Sequence, residues 1–321
     1  METSETLRIL QLLADGIDPA TGEVYPAAGP YQRADVVRAL HAAIRALETG
    51  VRDKPPTDRP GRMTADVCER GPNTLDAARS RYPAPEFHPL LITEVTRMLQ
   101  DHYCIAAYDL HGRKMARPLR PKGENWLFDE FQPAYRPGQV VNVSGWSARP
   151  EGTPPHNLDD MILKRGMDEL EVWSGEELFS AMLPSAYETI AQLLDRRPLE
   201  NRYVIEGTEC RSLGGVRTTR KRVQFRAASN SRLRLHFEDA DGELYILPVT
   251  CDGLRTRFDP DGSGLGVRGA NDWLDTMPPG EPLVLRIGLT RGYAGNDGEF
   301  NPRRCYVQIN GILSAHPLPT I

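Results

Sequence analysis

From residue 90 onward the chain is a succession of short alternating or β-rich runs cut by turns, and no other feature limits its fold as strongly. The runs 89–98, 103–109, 114–119 and 139–146 form a first series, with His111-Gly112 as a hairpin turn between two of them. A helical stretch follows at 176–195, with apolar Leu178, Met182, Tyr187, Ile190, Leu193 and Leu194, and Pro198 closes it. A second series takes in 203–205, 222–227, 233–238, 244–249, 283–289 and 305–314. With 28 glycines and 27 prolines in 321 residues, turns are plentiful, while 40% hydrophobic and 26% charged residues keep the chain in the globular class.

The two series echo one another. Asp109, Gly112 and Pro118 in the first are matched by Asp239, Gly242 and Pro248 in the second, each pair offset by 130 residues. Asp239-Ala240-Asp241-Gly242-Glu243 is itself a strong hairpin signal. The repeat suggests two copies of one small β-barrel. Five-stranded barrels of about 100 residues with a capping helix fit these lengths, and the OB-fold is one such family. The expected fold is mainly β with some α, two OB-like barrels preceded by an N-terminal helical hairpin.

That hairpin is read over 1–49. A short amphipathic helix with Leu7, Leu10, Leu12 and Leu13 is capped by Ser4, and a second at about 34–48 aligns Val36, Val37, Leu40, Ala43, Ile44 and Leu47. Residues 50–88, rich in Pro, Arg, Asp and Gly, read as a flexible linker, with a helical turn or two in 63–78. The barrels are then assigned to 89–200, with a capping helix, and to 201–321.

Few catalytic chemistries survive inspection. The Gly264-x-Gly266-x-x-Gly269 run matches a dinucleotide loop formally, but no strand leads into it and no helix is expected to follow. Asp259-x-Asp261-x-Ser263-Gly264 resembles the start of a calcium loop, yet its twelfth position is Ala270 and its flanks do not read as helices, so a surface loop is expected. Five scattered cysteines and seven dispersed histidines show no zinc spacing, and the odd thiol count without a basic leader argues against a disulfide framework. No nucleophile is paired with a base. The chain is therefore expected to be a non-enzyme without cofactor, cytoplasmic, with no apolar run long enough for a membrane span.

Charge is more informative. Net charge is −5, yet residues 202–234 carry nine cations against two acids, while residues 151–188 carry nine acids against two bases. Only five of the 39 cations are lysines. Arginine forks grip phosphate bidentately, although an arginine-rich composition by itself decides nothing. Within 202–234, Arg217, Arg220, Lys221, Arg222 and Arg226 are the densest group, and Arg222, Gln224 and Arg226 are expected on one strand face with Val223 and Phe225 opposite. A basic strand beside a Gly214-Gly215 turn is one way small barrels offer a backbone-tracking groove. The alternative is a charge belt on which the acidic 151–188 segment docks. A second cluster, Arg113, Lys114, Arg117, Arg120 and Lys122, precedes Trp126 and Phe128, and Tyr103, Tyr108 and Trp126 are candidates for base stacking.

Three runs carry a family resemblance. They are Val95-Thr96-Arg97-Met98 with Cys104-Ile105-Ala106-Ala107 and the stretch 112–119, then Arg286-Ile287-Gly288-Leu289-Thr290-Arg291, then 305–312. Residues 90–315 resemble the bacterial dual OB-containing domain family, departing from its pattern at Ala107, where glycine is expected. The resemblance implies two OB barrels, nucleic-acid binding, a setting in genome defence, and no defined catalytic residues. Residues 12–23 and 36–40 are similar to a helical module attached to bacterial helicases. The expectation is a non-catalytic binder of nucleic acid, DNA favoured over RNA, with Arg113, Arg117, Lys122, Trp126, Arg217, Arg220, Lys221, Arg222 and Arg226 at its contact surface. A helicase, nuclease or other defence protein is the expected protein partner. The rival expectation is an adaptor that joins such a complex without touching nucleic acid.

Overall fold

The computed structural model describes residues 74–98, 102–127, 135–149, 152–227, 233–260, 266–295 and 298–316, together with helical Thr6, Ile9, Leu10, Leu13 and Leu40. The rest of the expected N-terminal hairpin lies outside the described residues. The fold is mainly β with some helices: two strongly curled half-barrel sheets and a small third sheet.

The first sheet is built on β1 (Pro89–Arg97), which pairs with β2 (His102–Asp109) on one side and β5 (Gln139–Val143) on the other. β3 (Lys114–Leu119) continues the meander, and β4 (Trp126–Leu127) pairs with the start of β2. β3 then runs parallel to β7 (Asp160–Leu163), which also pairs with β6 (Trp146–Ala148). β8 (Met167–Val172) extends the far edge beyond β5. A bulge between Ile92 and Glu94 shifts the register of β1. Leu90, Ile92 and Val95 therefore all enter the first core, while Leu91 packs into a separate cluster with residues of the second sheet.

The second half contributes β10 (Leu213–Thr219), β14 (Pro282–Leu289), β15 (Arg304–Leu313) and β9 (Tyr203–Ile205), paired in that order. A single 3₁₀ turn at Arg220–Arg222 leads from β10 into β11 (Val223–Ala227), the first strand of the small sheet β11–β12–β13, where β12 is Leu233–Glu238 and β13 is Leu244–Pro248. A parallel bridge from Val249 to Ile309 links the end of β13 to β15.

The two echoed aspartates do the same job in both hairpins. Asp109 is buried and accepts the amides of His111 and Gly112 at 3.0 and 2.8 Å. Asp239 is equally buried and accepts those of Asp241 and Glu243 at 3.1 and 3.2 Å. In each case one buried carboxylate accepts two amides of the turn and so fixes its conformation.

Four expectations need correction. Residues 74–88 are folded rather than linker: α1 (Leu75–Arg81), capped by Thr74, buries Ala78 completely against the cluster joining the sheets. The stretch 176–195 is not one helix. Ser174 opens α2 (Gly175–Met182) through a capping box, but Pro184 supplies no amide to extend it, Tyr187 bridges to Val216, and a four-residue α3 (Ile190–Leu193) restarts under Thr189. Gly214-Gly215 is not a turn but lies inside β10, where a Cβ on either would strike Leu193 or Val284 and Arg286. Finally, helices do flank the Asp259 loop: α4 (Asp252–Phe258) precedes it and α5 (Val267–Asp275) follows. Asp259 itself is buried and accepts the Leu233 amide.

Candidate nucleic-acid interface

Alternation along β11 and β12 sorts the side chains cleanly. Val223 and Phe225 point into the second core with Leu233, Leu235 and Phe237, while Gln224 and Arg226 face outward. Register then brings Arg226 directly opposite Arg234, and Gln224 opposite His236, which is itself opposite Ile246 of β13. Lys221 and Arg222, in the 3₁₀ turn just before β11, are exposed at the end of this face.

Like charges in directly opposed positions repel, and Arg234 has an interaction partner of its own to offset this. Arg226 is steadied by Gln224, whose Oε1 accepts from its Nε and Nη2 at 3.1 and 2.9 Å. Arg222 donates to the Asp239 carbonyl at 3.0 Å. His236 is held below its ordinary pKa, by partial burial first and by the Arg226 and Arg234 charges next. The face thus concentrates positive potential without adding a histidine charge at neutral pH.

The other expected contact residues are distributed differently. Arg220 pairs with Asp275 and donates to the Leu274 carbonyl at 2.8 Å, fastening the 3₁₀ turn to α5. Arg217 is half-buried, 3.4 Å from Glu188, so one cation of the cluster does meet the acidic segment. Arg113 and Lys122 are exposed near the first sheet, both with positive φ.

Arg117 and Trp126 are corrected outright. The indole of Trp126 is 6% exposed, donates to the Pro118 carbonyl at 2.8 Å and packs edge-on against Tyr135, so it stacks on protein. Tyr103, also expected to stack bases, is buried in the same core. Phe128 lies outside the described residues.

Arg117 is 3% exposed and fully engaged. It donates to Asp160 at 2.8 Å and to Ser212 at 3.1 Å, while Arg291 reaches the same Asp160 with two bonds of 2.9 and 3.0 Å. His156 completes the cluster. Its Nε2 meets the Thr290 carbonyl at 2.9 Å and must donate to it, leaving Nδ1 to accept from Arg117 at 3.3 Å. Burial, then the Arg117 and Arg291 charges, push the imidazole down to about 2, so it is neutral here. Asp159 accepts both the amide and the hydroxyl of Ser212. Arg117, His156 and Asp160 are buried and help seal the two sheets together.

A second basic feature was missed in the sequence. Tyr108, Arg113, Lys114, Tyr187, Arg211 and Arg286 line a cleft of about 430 Å³ between the two sheets. Its members come from positions 108 to 286, so only the folded chain brings them together.

Among the described residues no group of histidine, cysteine and carboxylate side chains is placed to hold a metal ion, and no helix is long and apolar enough to cross a membrane. Neither a family model nor a curated protein matches the chain.

Proposed function

We propose that the chain is a non-catalytic nucleic-acid-binding protein that engages the phosphate backbone with the outer face of β11 and β12. The observation that carries this reading is the row of exposed Lys221, Arg222 and Arg226 along β11 and the turn before it. Phosphates passing over such a row release counterions.

The strand connections support an OB-type reading of each half. In the first, the run β5–β6 pairs with β1 at one end and with β7 at the other, and β7 returns parallel to β3. In the second, β10–β11 plays the bent strand, paired with β14 and β12, and the Val249–Ile309 bridge supplies the parallel contact. Both trace the same circuit, with the α4–α5 pair inserted in the second before β14. OB barrels use the face of their second and third strands for oligonucleotides, and here those strands are β12 and β13. Membership of the dual OB family, and with it a place in genome defence, is part of this proposal.

An adaptor role is the second reading, favoured by Leu244 and Ile246, which are 57% and 42% exposed on β13 beside the basic rows. The two are separable by variants. Arg222→Glu/Arg226→Glu should abolish binding to labelled single-stranded DNA while Leu244→Ser/Ile246→Ser, which brings no charge to the face, leaves its salt dependence unchanged. Undiminished DNA binding by the charge-reversed protein sinks the backbone reading. Loss of a protein partner by the Leu244/Ile246 variant alone would establish the adaptor.

A further inference from the structure

We propose that the cleft between the two sheets is a binding site for a nucleoside phosphate, with the phosphate held by Arg113, Lys114 and Arg211 and the base laid against Tyr187 and Tyr108. The site goes beyond the sheet-face reading and does not depend on it.

Three cations converge here from separate parts of the chain. Arg113 comes from the β2–β3 hairpin, Lys114 opens β3, and Arg211 immediately precedes β10. Arg113 is 69% exposed in its side chain, and its nearest acid, Asp76, is 3.9 Å away and already bound to Arg79 at 2.6 Å. Such an exposed ion pair is worth little in water, so Arg113 can exchange Asp76 for an incoming anion. Arg211 is fixed in place: its Nε and Nη2 donate to the carbonyls of Leu193 and Gln192, and Nη2 also pairs with Asp195 at the surface, so only Nη1 remains to meet a phosphate. A preorganised guanidinium loses little freedom when it meets phosphate. At the back, Arg286 is 1% exposed and neutralised by Glu94 at 2.8 Å, so it shapes the floor rather than adding free charge. The one acid lining the cleft, Asp159, is engaged by Ser212.

The planar half of the ligand has its own surface. Tyr187 carries the Arg211 guanidinium over its ring at 5.0 Å, so a base laid against Tyr187 must share the ring with Arg211 or displace it. Tyr108 is half-buried, and Met115 and Leu213 supply apolar wall. The volume of about 430 Å³ lies within the ~300–1,000 Å³ of small-ligand sites. A free inorganic anion would leave the aromatic wall unused, and an uncharged aromatic would leave the cations unanswered. A nucleoside phosphate answers both.

The same chemistry has two sources, a free nucleotide and the 5′-phosphorylated end of a strand. Calorimetric titration of the full chain with adenosine 5′-monophosphate, thymidine 5′-monophosphate, orthophosphate, and a hexathymidylate with and without its 5′-phosphate separates them. Saturable binding of the monophosphates alone assigns free nucleotide; a hexamer that binds more tightly with its 5′-phosphate assigns the strand end. Either result supports the site. Arg113→Glu/Lys114→Glu, two exposed substitutions, should weaken that binding by about tenfold or more. Tyr187→Leu, checked for folding by circular dichroism, should weaken it about fivefold through lost stacking. Arg222→Glu/Arg226→Glu should leave monophosphate binding, and the gain a hexamer draws from its 5′-phosphate, unchanged, so failure of the sheet-face reading and failure of the cleft register separately. No heat with any nucleotide probe, orthophosphate matching the monophosphates, or full affinity in Arg113→Glu/Lys114→Glu would each overturn the proposal.

Discussion

Arg286 and Glu94 are both 1% exposed at their side chains and stand 2.8 Å apart, with Thr93 donating to the same carboxylate oxygen. Removing one partner of such a pair strands a buried charge. Arg286→Met should therefore cost about 3–5 kcal/mol in urea unfolding, and Glu94→Leu/Arg286→Met should recover most of it. His156 gives a second test. Its folded pKa lies far below the ordinary 6.5, so below that pH the unfolded chain binds a proton that the folded chain refuses. Stability should fall as pH drops through 6.5, by up to ~1.4 kcal/mol per pH unit from this group. Asp159, its carboxyl raised by burial, acts in the opposite sense from its ordinary 3.8 upward. Urea midpoints at pH 7, 6 and 5 should decline less steeply in His156→Gln than in the parent. Residue by residue, the sequence distinguished Phe225 from Arg226 because strand alternation reports sidedness. It did not distinguish Arg117 from Arg222, because both stand among cations and only the parallel pairing of Arg117 with Asp160 hides one of them.

Among the elements, β10 shows where legibility ends. Consecutive glycines normally punctuate a turn, but here each clears space for a neighbour: Leu193 over Gly214, Val284 and Arg286 over Gly215. An added Cβ at Gly215 would lie 2.7 Å from Val284 Cγ1 and 2.8 Å from Arg286 Nη1. Gly215→Ala should then destabilise by ~1–3 kcal/mol, read as a lower urea midpoint at unchanged slope. Strands with strict alternation, such as β12 and β13, were legible to within a residue. Short β7 was not, since Asp160-Met161-Ile162-Leu163 carries no alternation beyond four positions. The helices α4 and α5 were hidden by the Gly and Asp content of the loop they flank, and the break after α2 lay in one proline.

At the scale of the folded body, buried polar groups join the two curled sheets. The Arg286–Glu94 pair spans 192 positions of sequence, and the Arg117–Ser212 bond spans 95. No local pattern reveals such pairings, whereas the Asp109 and Asp239 echo did reveal that two similar hairpins recur. Fixing the sheets together also fixes the distance from the basic face to the cleft, so a strand bound on one surface does not have to order the other. The most direct test of the account is fluorescence anisotropy of labelled single-stranded DNA over a series of salt concentrations. With Lys221, Arg222 and Arg226 each meeting one phosphate, log K should fall with log salt at a slope of about −2.1. Arg222→Glu/Arg226→Glu should cut that slope by about two-thirds or abolish binding altogether. Binding that is indifferent to salt, or a slope the charge-reversed variant retains in full, would contradict the backbone-led account.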